Sequence, residues 1–187
     1  MICFRHSQYR TPLRTSFQAQ QTPGRYHRGT ESEPTQYLCL HPLGPHAEAL
    51  RLFDTRSAGD ARKLDLRTWA VHVPTDDLVE VPFADAWVAD DYTACQNLAD
   101  TLRDAGHAGA IVPSAALPGT RNIVLFGGRV AAPYELGELR ELELRASITG
   151  EHSSVLASLI RLVRFRGMPH PGAEFAFSEP SWAPVAA

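Results

Sequence analysis

The sequence lacks several features that would assign it at once to a broad class of proteins. Its 187 residues contain no run of 18 uncharged apolar residues, which argues against a membrane-spanning helix. The first ten residues lack the apolar stretch and small-residue cleavage site of a secretory signal, so we expect a cytoplasmic protein. A net charge of −3 gives no overall attraction to nucleic acid or anionic lipid, and we expect neither as a direct partner.

Cysteine is scarce, and its placement is irregular. Cys3, Cys39 and Cys95 are odd in number and form no CxxC pair. We therefore expect neither a disulfide framework nor a thiolate metal site, and we interpret all three as reduced core residues. His41 and His46 lie in a segment broken by prolines and a glycine, without a fixed ligand spacing. We accordingly predict no metal site.

The composition is that of an ordinary globular domain. Apolar residues make up 44% and charged residues 21% of the chain, and its length suffices for one domain with a hydrophobic core. We predict one domain over residues 1–150. Residues 151–187 are predicted to form a C-terminal helix and a proline- and aromatic-rich tail that pack on the same domain.

Hydrophobic patterning predicts a compact α+β domain with a mostly antiparallel sheet. Apolar residues recur at helical spacing over 91–106 and 153–166, and Pro45 suits the first turn of a helix over 46–53. The polar stretches 5–33 and 54–65 are predicted to be loops. Runs with strand composition cover residues 2–4, 36–40, 68–73, 78–82, 110–113, 122–126 and 139–148.

Two groups of charged residues allow both a structural and a functional interpretation. Glu48 stands near the start of the helix predicted after Pro45. A carboxylate there stabilises the helix dipole, but it is also the group that stabilises positive charge at a sugar carbon. Arginines in a loop can bind phosphate, or they can simply be solvated. Those before the second strand are Arg5, Arg10, Arg14, Arg25 and Arg28.

Three further polar residues lie at element boundaries. Asp90 and Asp91 precede a predicted helix, where they are interpreted as capping residues rather than a metal pair. Ser114 follows the strand AIVP without a G-x-S-x-G motif around it, which argues against a hydrolase nucleophile. Ser114 is therefore predicted to cap a turn or to hydrogen-bond a ligand.

The order of these residues resembles that of the RES-domain family, named for its arginine, glutamate and serine. The resemblance covers residues 2–126. The spacing from Arg25 to Tyr37 is slightly long for the family, and Tyr26-His27 replaces its Trp-Asn, so either Arg25 or Arg28 is the middle arginine. The matching features are Phe4-Arg5, Gly24-Arg25-Tyr26, Tyr37 with Glu48 eleven residues later, DDYTACQ at 90–96, GAIVPSA at 109–115 and TRNIVLF at 120–126.

The resemblance implies an ADP-ribosyltransferase-like fold and an enzyme that degrades NAD⁺. Such proteins are typically bacterial toxins that cleave the nicotinamide–ribose bond with phosphate as acceptor, and a helix-turn-helix antitoxin of the Xre type plugs their site. We expect NAD⁺ as a substrate rather than a permanently bound cofactor, and phosphate or water as acceptor. Three alternatives are compatible with the sequence. The protein could transfer ADP-ribose to a macromolecule, or it could be a catalytically silent module that binds NAD⁺ or a partner. It could also form a homodimer.

The resemblance also implies roles for individual residues. The arginines would hold the pyrophosphate or the incoming phosphate, the glutamate would stabilise the cationic sugar carbon, and the serine would bind the nicotinamide ribose or its amide. Tyr37 would stack on nicotinamide or fix the ribose, and Asn122 would support the site or the fold. The predicted catalytic residues are Arg5, Arg25, Glu48 and Ser114, and the predicted NAD⁺-binding residues are Tyr26, Arg28, Tyr37 and Asn122.

Overall fold

Strands supply most of the regular structure. The computed structural model describes residues 1–6, 12–13, 22–52, 65–133, 143–154, 159, 161–165 and 168–169. The helices are α1 Gly44–Leu52, α2 Asp85–Val88 and α3 Thr93–Asp104. The strands are β1 Ile2–His6, β2 Thr35–Cys39, β3 Asp65–His72, β4 Leu78–Glu80, β5 Gly109–Pro113, β6 Arg121–Phe126, β7 Val130–Pro133, β8 Glu143–Ser154, β9 Arg164–Phe165 and β10 Met168–Pro169.

Eight of these strands form one sheet in the order β4-β5-β6-β2-β1-β3-β8-β7. Neighbouring strands are antiparallel except for the two outermost pairs, β4–β5 and β7–β8, which are parallel. Strands β9 and β10 form a separate antiparallel pair. The predicted α+β class with a mostly antiparallel sheet is therefore confirmed. In the part of the chain that the structure describes, no helix is long and apolar enough to cross a membrane.

Helix α3 packs against one face of the sheet, as its sequence pattern predicts. Cys95, Ala99 and Leu102 are buried on one side of the helix, and they share a core cluster with Val112 of β5 and Val124 of β6. The helix begins just after Asp91, whose Oδ1 accepts hydrogen bonds from the backbone N–H and the hydroxyl of Thr93. It ends before Gly106, whose φ of 79° is left-handed.

Helix α1 lies close to the end of β2. A Cβ atom added at Gly44 would stand 2.3 Å from the Cβ of Cys39, so only glycine allows this approach. Ala47 and Leu50 are fully buried in a core cluster with Val163. The helix predicted after Pro45 is thus confirmed, and its first turn is fixed against the central strand.

The helix predicted over 153–166 is wrong at the residues that the structure describes. Ser153 and Ser154 are the last residues of β8 and pair with β3, and residues 164–165 form β9. Leu159 and Val163 are nevertheless buried against α1. Their spacing therefore identified which side chains are buried, whereas sheet pairing determined the backbone. The predicted loop 54–65, apart from Asp65 in β3, and the tail beyond residue 169 lie outside the described residues.

Candidate functional site

A tight turn from Gly24 to His27 carries the first arginine of the site. The backbone N–H of Gly24 donates to the carbonyl of His27 over 2.9 Å. The His27 ring lies over Gly24 so closely that an added Cβ would stand 2.3 Å from its Cε1 atom, which restricts the position to glycine. Gln96 of α3 donates its amide to the carbonyls of both residues, at 3.0 and 3.3 Å. The turn is thereby fixed to the helix.

Arg25 projects from this turn with one half of its guanidinium anchored and the other half available. Its Nη1 donates to the carbonyls of Trp87 and Ala89, and the guanidinium lies over the Tyr92 ring, 4.6 Å from the centroid. Its Nη2 is buried and has no hydrogen-bond partner among the described residues. Buried donors without partners are rare in folded proteins. Arg25 thus offers a positioned donor for an anionic or carbonyl oxygen.

Arg28, the alternative middle arginine, lies on the surface of α3. Its Nε donates to Asp100 over 2.9 Å, its Nη1 to Gln96 over 3.3 Å and its Nη2 to Asn97 over 2.6 Å. The side chain is 40% exposed. All three nitrogens are therefore engaged with one helix. Arg10 and Arg14 lie outside the described residues.

Tyr37 uses its hydroxyl to hold the turn. The backbone N–H of Tyr26 donates to this oxygen over 3.0 Å, and the oxygen lies 2.7 Å from Nδ1 of His27. Because Nε2 of His27 faces the carbonyl of Thr22 at 2.8 Å, Nε2 carries the proton and the tyrosine hydroxyl donates to Nδ1. Burial raises the pKa of Tyr37, so the phenol stays neutral. Only its ring remains for the predicted stacking.

Glu48 projects from α1 toward the start of β6. Its Oε1 accepts a hydrogen bond from the side-chain amide of Asn122 over 3.0 Å, and Asn122 pairs with Cys39 across the β2–β6 ladder. Burial raises the pKa of the Glu48 carboxyl, and the Asn122 hydrogen bond and the charges of Arg51 and Arg25 partly offset that effect. The structure thus brings Glu48, Asn122 and Arg25 together.

The raised pKa of Glu48 predicts that replacing this residue with Gln stabilises the protein at neutral pH. When the pKa of an acid is higher in the folded state than in the unfolded state, the protein becomes less stable as pH rises through the folded-state pKa. The folded state must then hold a desolvated charge. Glutamine keeps an acceptor for Asn122 and has no charge to lose. We expect Glu48→Gln to raise the free energy of unfolding by about 1 kcal/mol at neutral pH.

Urea unfolding of both proteins from pH 4 to pH 8 measures this effect. The difference between them should grow with pH and then level off. Asp76→Asn is the matched control, because Asp76 is exposed in the turn before β4 and its replacement should not stabilise the protein. A Glu48→Gln protein that is less stable than the wild type at every pH would contradict the burial argument.

Arg5 is held by a side chain of the neighbouring strand β2. Its Nη1 donates to Oε1 of Gln36 over 3.1 Å. Phe4 pairs with Cys39, so strand alternation turns Arg5 toward the opposite face of β1. Its charge still lowers the pKa of the Cys39 thiol, which burial and Glu48 raise well above the usual value. Gln36 therefore holds the Arg5 side chain, and the Arg5 charge acts on the Cys39 thiol.

Ser114 lies at the start of the loop after β5. It is buried, and its Oγ accepts a hydrogen bond from the backbone N–H of Leu117 over 3.1 Å, which is the turn-capping role that the sequence allows. The residue also lines a cavity of about 440 Å³ together with Phe83, Thr120 and Arg121. Ser114 can therefore both shape its loop and face a ligand.

Tyr26 lies in the core rather than at the site surface. Only 3% of the residue is exposed, and it belongs to the cluster formed by α3 and the sheet. Its hydroxyl lies beside the Cys95 thiol, and burial together with that thiol raises the pKa of the phenol. The backbone of Tyr26 takes part in the turn, while its side chain packs beneath it.

The sequence interpretation missed Arg51 and misassigned Asp90. Arg51 stands three residues after Glu48 on α1, and its Nη2 forms an ion pair with Asp90 at 2.6 Å. Asp90 is therefore the partner of a buried arginine, and Asp91 alone caps α3. The i,i+3 spacing of Glu48 and Arg51 in EALR was the signal available in the sequence. Among the described residues no cluster of three or more His, Cys, Asp or Glu side chains could hold a metal ion.

The geometry defines an α+β domain in which a desolvated carboxyl lies close to a guanidinium with an unsatisfied donor. The family model of the RES domain matches residues 2–145. The chain belongs to the RES-domain family. No curated protein matches the sequence significantly.

Comparison with solved structures gives the same fold. The chain is similar to a chain in the crystal structure of the M. tuberculosis MbcT–MbcA toxin–antitoxin complex, with a TM-score of 0.58 and 17% sequence identity. The match covers 80% of this chain and 84% of the other. At this identity the likeness establishes the fold, and function has to be argued from the site.

Proposed function

We propose that this protein degrades NAD⁺ by cleaving the bond between nicotinamide and ribose. The observation that carries the proposal is the Glu48 carboxyl, which is desolvated, held by the Asn122 amide and close to the Arg25 guanidinium. Membership of the RES-domain family supports the same activity. NAD⁺ is the substrate, and inorganic phosphate or water is the acceptor.

Glu48 supplies the electrostatic part of the reaction. When the nicotinamide–ribose bond breaks, its electron pair moves to the ring nitrogen, nicotinamide leaves as a neutral molecule, and positive charge develops at the ribose carbon. A carboxylate fixed beside that carbon stabilises the charge in the transition state more than in the ground state. The Asn122 hydrogen bond fixes the carboxylate in advance, so little reorganisation is needed during the reaction.

Arg25 supplies the anion contact. Its buried Nη2 donor has no partner among the described residues, while the Nη1 bonds to Trp87 and Ala89 fix the plane of the guanidinium. An arginine held in this way binds a phosphate oxygen with a defined geometry. It would hold the pyrophosphate of NAD⁺ or the incoming phosphate, whose oxygen forms the new bond at the ribose carbon.

A toxin of a toxin–antitoxin pair is the biological role that fits this activity. Loss of NAD⁺ stops the growth of a cell, so a protein with this activity needs an inhibitor. The neighbour of similar fold comes from a toxin–antitoxin complex, and the partner that we propose is an antitoxin protein of the helix-turn-helix type that covers the site.

Phosphorus NMR of NAD⁺ incubated with the purified protein tests the proposal. We expect nicotinamide release. With inorganic phosphate present, a phosphorolytic reaction gives a new phosphate-ester resonance, whereas a hydrolytic reaction gives only the pyrophosphate resonances of ADP-ribose. If the reaction is repeated with NAD⁺ labelled in its adenosine part, label found on protein or nucleic acid would instead indicate ADP-ribosyl transfer. Binding of NAD⁺ without any release of nicotinamide would refute the enzymatic proposal.

A further inference from the structure

The guanidinium of Arg51 lies where four segments of the chain meet. Its Nη1 donates to the carbonyls of Ala115 and Arg164 at 2.9 and 3.0 Å, and its Nη2 donates to Asp90 at 2.6 Å. Only 9% of the side chain is exposed. One arginine thus ties α1 to the loop of Ser114, to the start of β9 and to the connection that precedes α3.

The same guanidinium acts on Glu48. The two residues are three apart on α1 and therefore lie on the same side of the helix. The groups around the Glu48 carboxyl come from several elements: Arg51 from α1, Arg25 from the 24–27 turn, the Cys39 thiol from β2 and the neutral Asn122 amide from β6. Arg51 and Arg25 are the cations whose charges favour the ionised carboxylate.

Two of the three hydrogen-bond acceptors of Arg51 are neutral carbonyls, and the third belongs to Asp90. The Asp90 side chain is 40% exposed, so solvent screens its negative charge. The carboxylate of Asp90 therefore only partly balances the positive charge of the buried guanidinium. Neutral hydrogen-bond donors would be enough to connect these segments. A buried cation in this place therefore does more than hold segments together, because it leaves net positive charge beside Glu48.

We infer that Arg51 is a positioning residue for the proposed reaction. It fixes the loop that carries Ser114 against α1, and it keeps a cation beside the Glu48 carboxylate. The inference rests on the proposed function for its role in catalysis, but the electrostatic part concerns the substrate-free protein. Arg51 acts through Glu48 and needs no contact with NAD⁺.

Carbon-13 NMR of labelled glutamate carboxyl groups in the substrate-free protein measures the titration of Glu48. In Arg51→Gln we expect the midpoint to move up by about one pH unit, since a nearby cation is lost. In Asp90→Asn we expect a smaller move downward, because the charge that opposes Arg51 is lost. Arg51→Lys keeps the cation and should stay close to the wild type.

For the midpoint in the substrate-free protein, Arg28→Gln is the matched control, since it removes an equal charge held on the exposed side of α3 and should leave that midpoint unchanged. The acid limb of kcat/KM for nicotinamide release should follow the same order of midpoints. If Arg51→Gln does not fold, the test is a downward shift in Asp90→Asn together with an unmoved midpoint in Arg51→Lys. Reduced activity with an unmoved midpoint in every variant would overturn the inference and leave Arg51 a structural tie.

The NMR result also separates the two proposals. A wild-type protein that releases no nicotinamide, yet shows the expected shifts, would refute the proposed function and leave the electrostatic role of Arg51 standing. An active wild-type protein whose Glu48 midpoint does not depend on Arg51 or Asp90 would support the proposed function and refute the electrostatic role of Arg51.

Discussion

Glu48→Gln is expected to lose nicotinamide release by about 10³-fold in kcat, equivalent to about 4 kcal/mol of transition-state free energy. The glutamine keeps the shape of the side chain and an acceptor for Asn122, so the fold and the site geometry should be retained. What is lost is the negative charge that stabilises the cationic sugar carbon. Single-turnover measurement of nicotinamide release with saturating NAD⁺ isolates this effect from substrate binding.

The stability of the variant makes this result interpretable. Because Glu48→Gln is expected to unfold at higher urea concentrations than the wild type, a loss of activity cannot be attributed to an unfolded protein. Asp76→Asn, in the exposed turn before β4, should keep full activity. Release at the wild-type rate by Glu48→Gln would remove Glu48 from the mechanism.

The two candidate middle arginines are expected to behave very differently. Arg25→Lys should lower kcat/KM for NAD⁺ by about 10²-fold, since a hydrogen bond to a charged group contributes about 1.5–3 kcal/mol. A lysine cannot both keep the carbonyl contacts of Trp87 and Ala89 and present a second donor in a fixed plane. Arg28→Gln should change kcat/KM by less than about threefold, because exposed ion pairs contribute little.

Both substitutions remove or alter a guanidinium, so each serves as the control for the other. Circular dichroism and urea unfolding establish that both proteins are folded, and calorimetry with ADP-ribose measures binding without turnover. Weak binding in Arg25→Lys with normal binding in Arg28→Gln is the expected outcome. The opposite pattern would identify Arg28 as the arginine of the site.

Local patterns in the sequence predicted those elements whose burial is set by their own residues. Helix α3 shows this, since Cys95, Ala99 and Leu102 follow helical spacing and are buried. The strand order was beyond local patterns, because β2 pairs with β1 and with the distant β6. The helix predicted over 153–166 failed for the same reason, since pairing of β8 with β3 outweighed the local periodicity.

The site was predicted in part through the order of residues and not through their contacts. The helix predicted after Pro45 placed Glu48 behind β2, where the structure has it, and the eleven-residue separation from Tyr37 pointed to its family role. No local pattern predicts that the Tyr37 hydroxyl holds the turn. The same holds for Arg51, whose carbonyl acceptors lie up to 113 residues away, because hydrogen bonds between distant segments leave no periodic signal.

The long separations within the site determine when it can first exist during protein synthesis. Asn122 follows Glu48 by 74 residues, and the carbonyl of Arg164 follows Arg51 by 113. A nascent chain that has not yet extended past β6 holds its glutamate without the amide that fixes it, and contacts between distant residues form slowly. The amide that fixes Glu48 and the carbonyl that holds Arg51 therefore become available only after residues 122 and 164 have been synthesised, so the two charged groups are fixed late in translation.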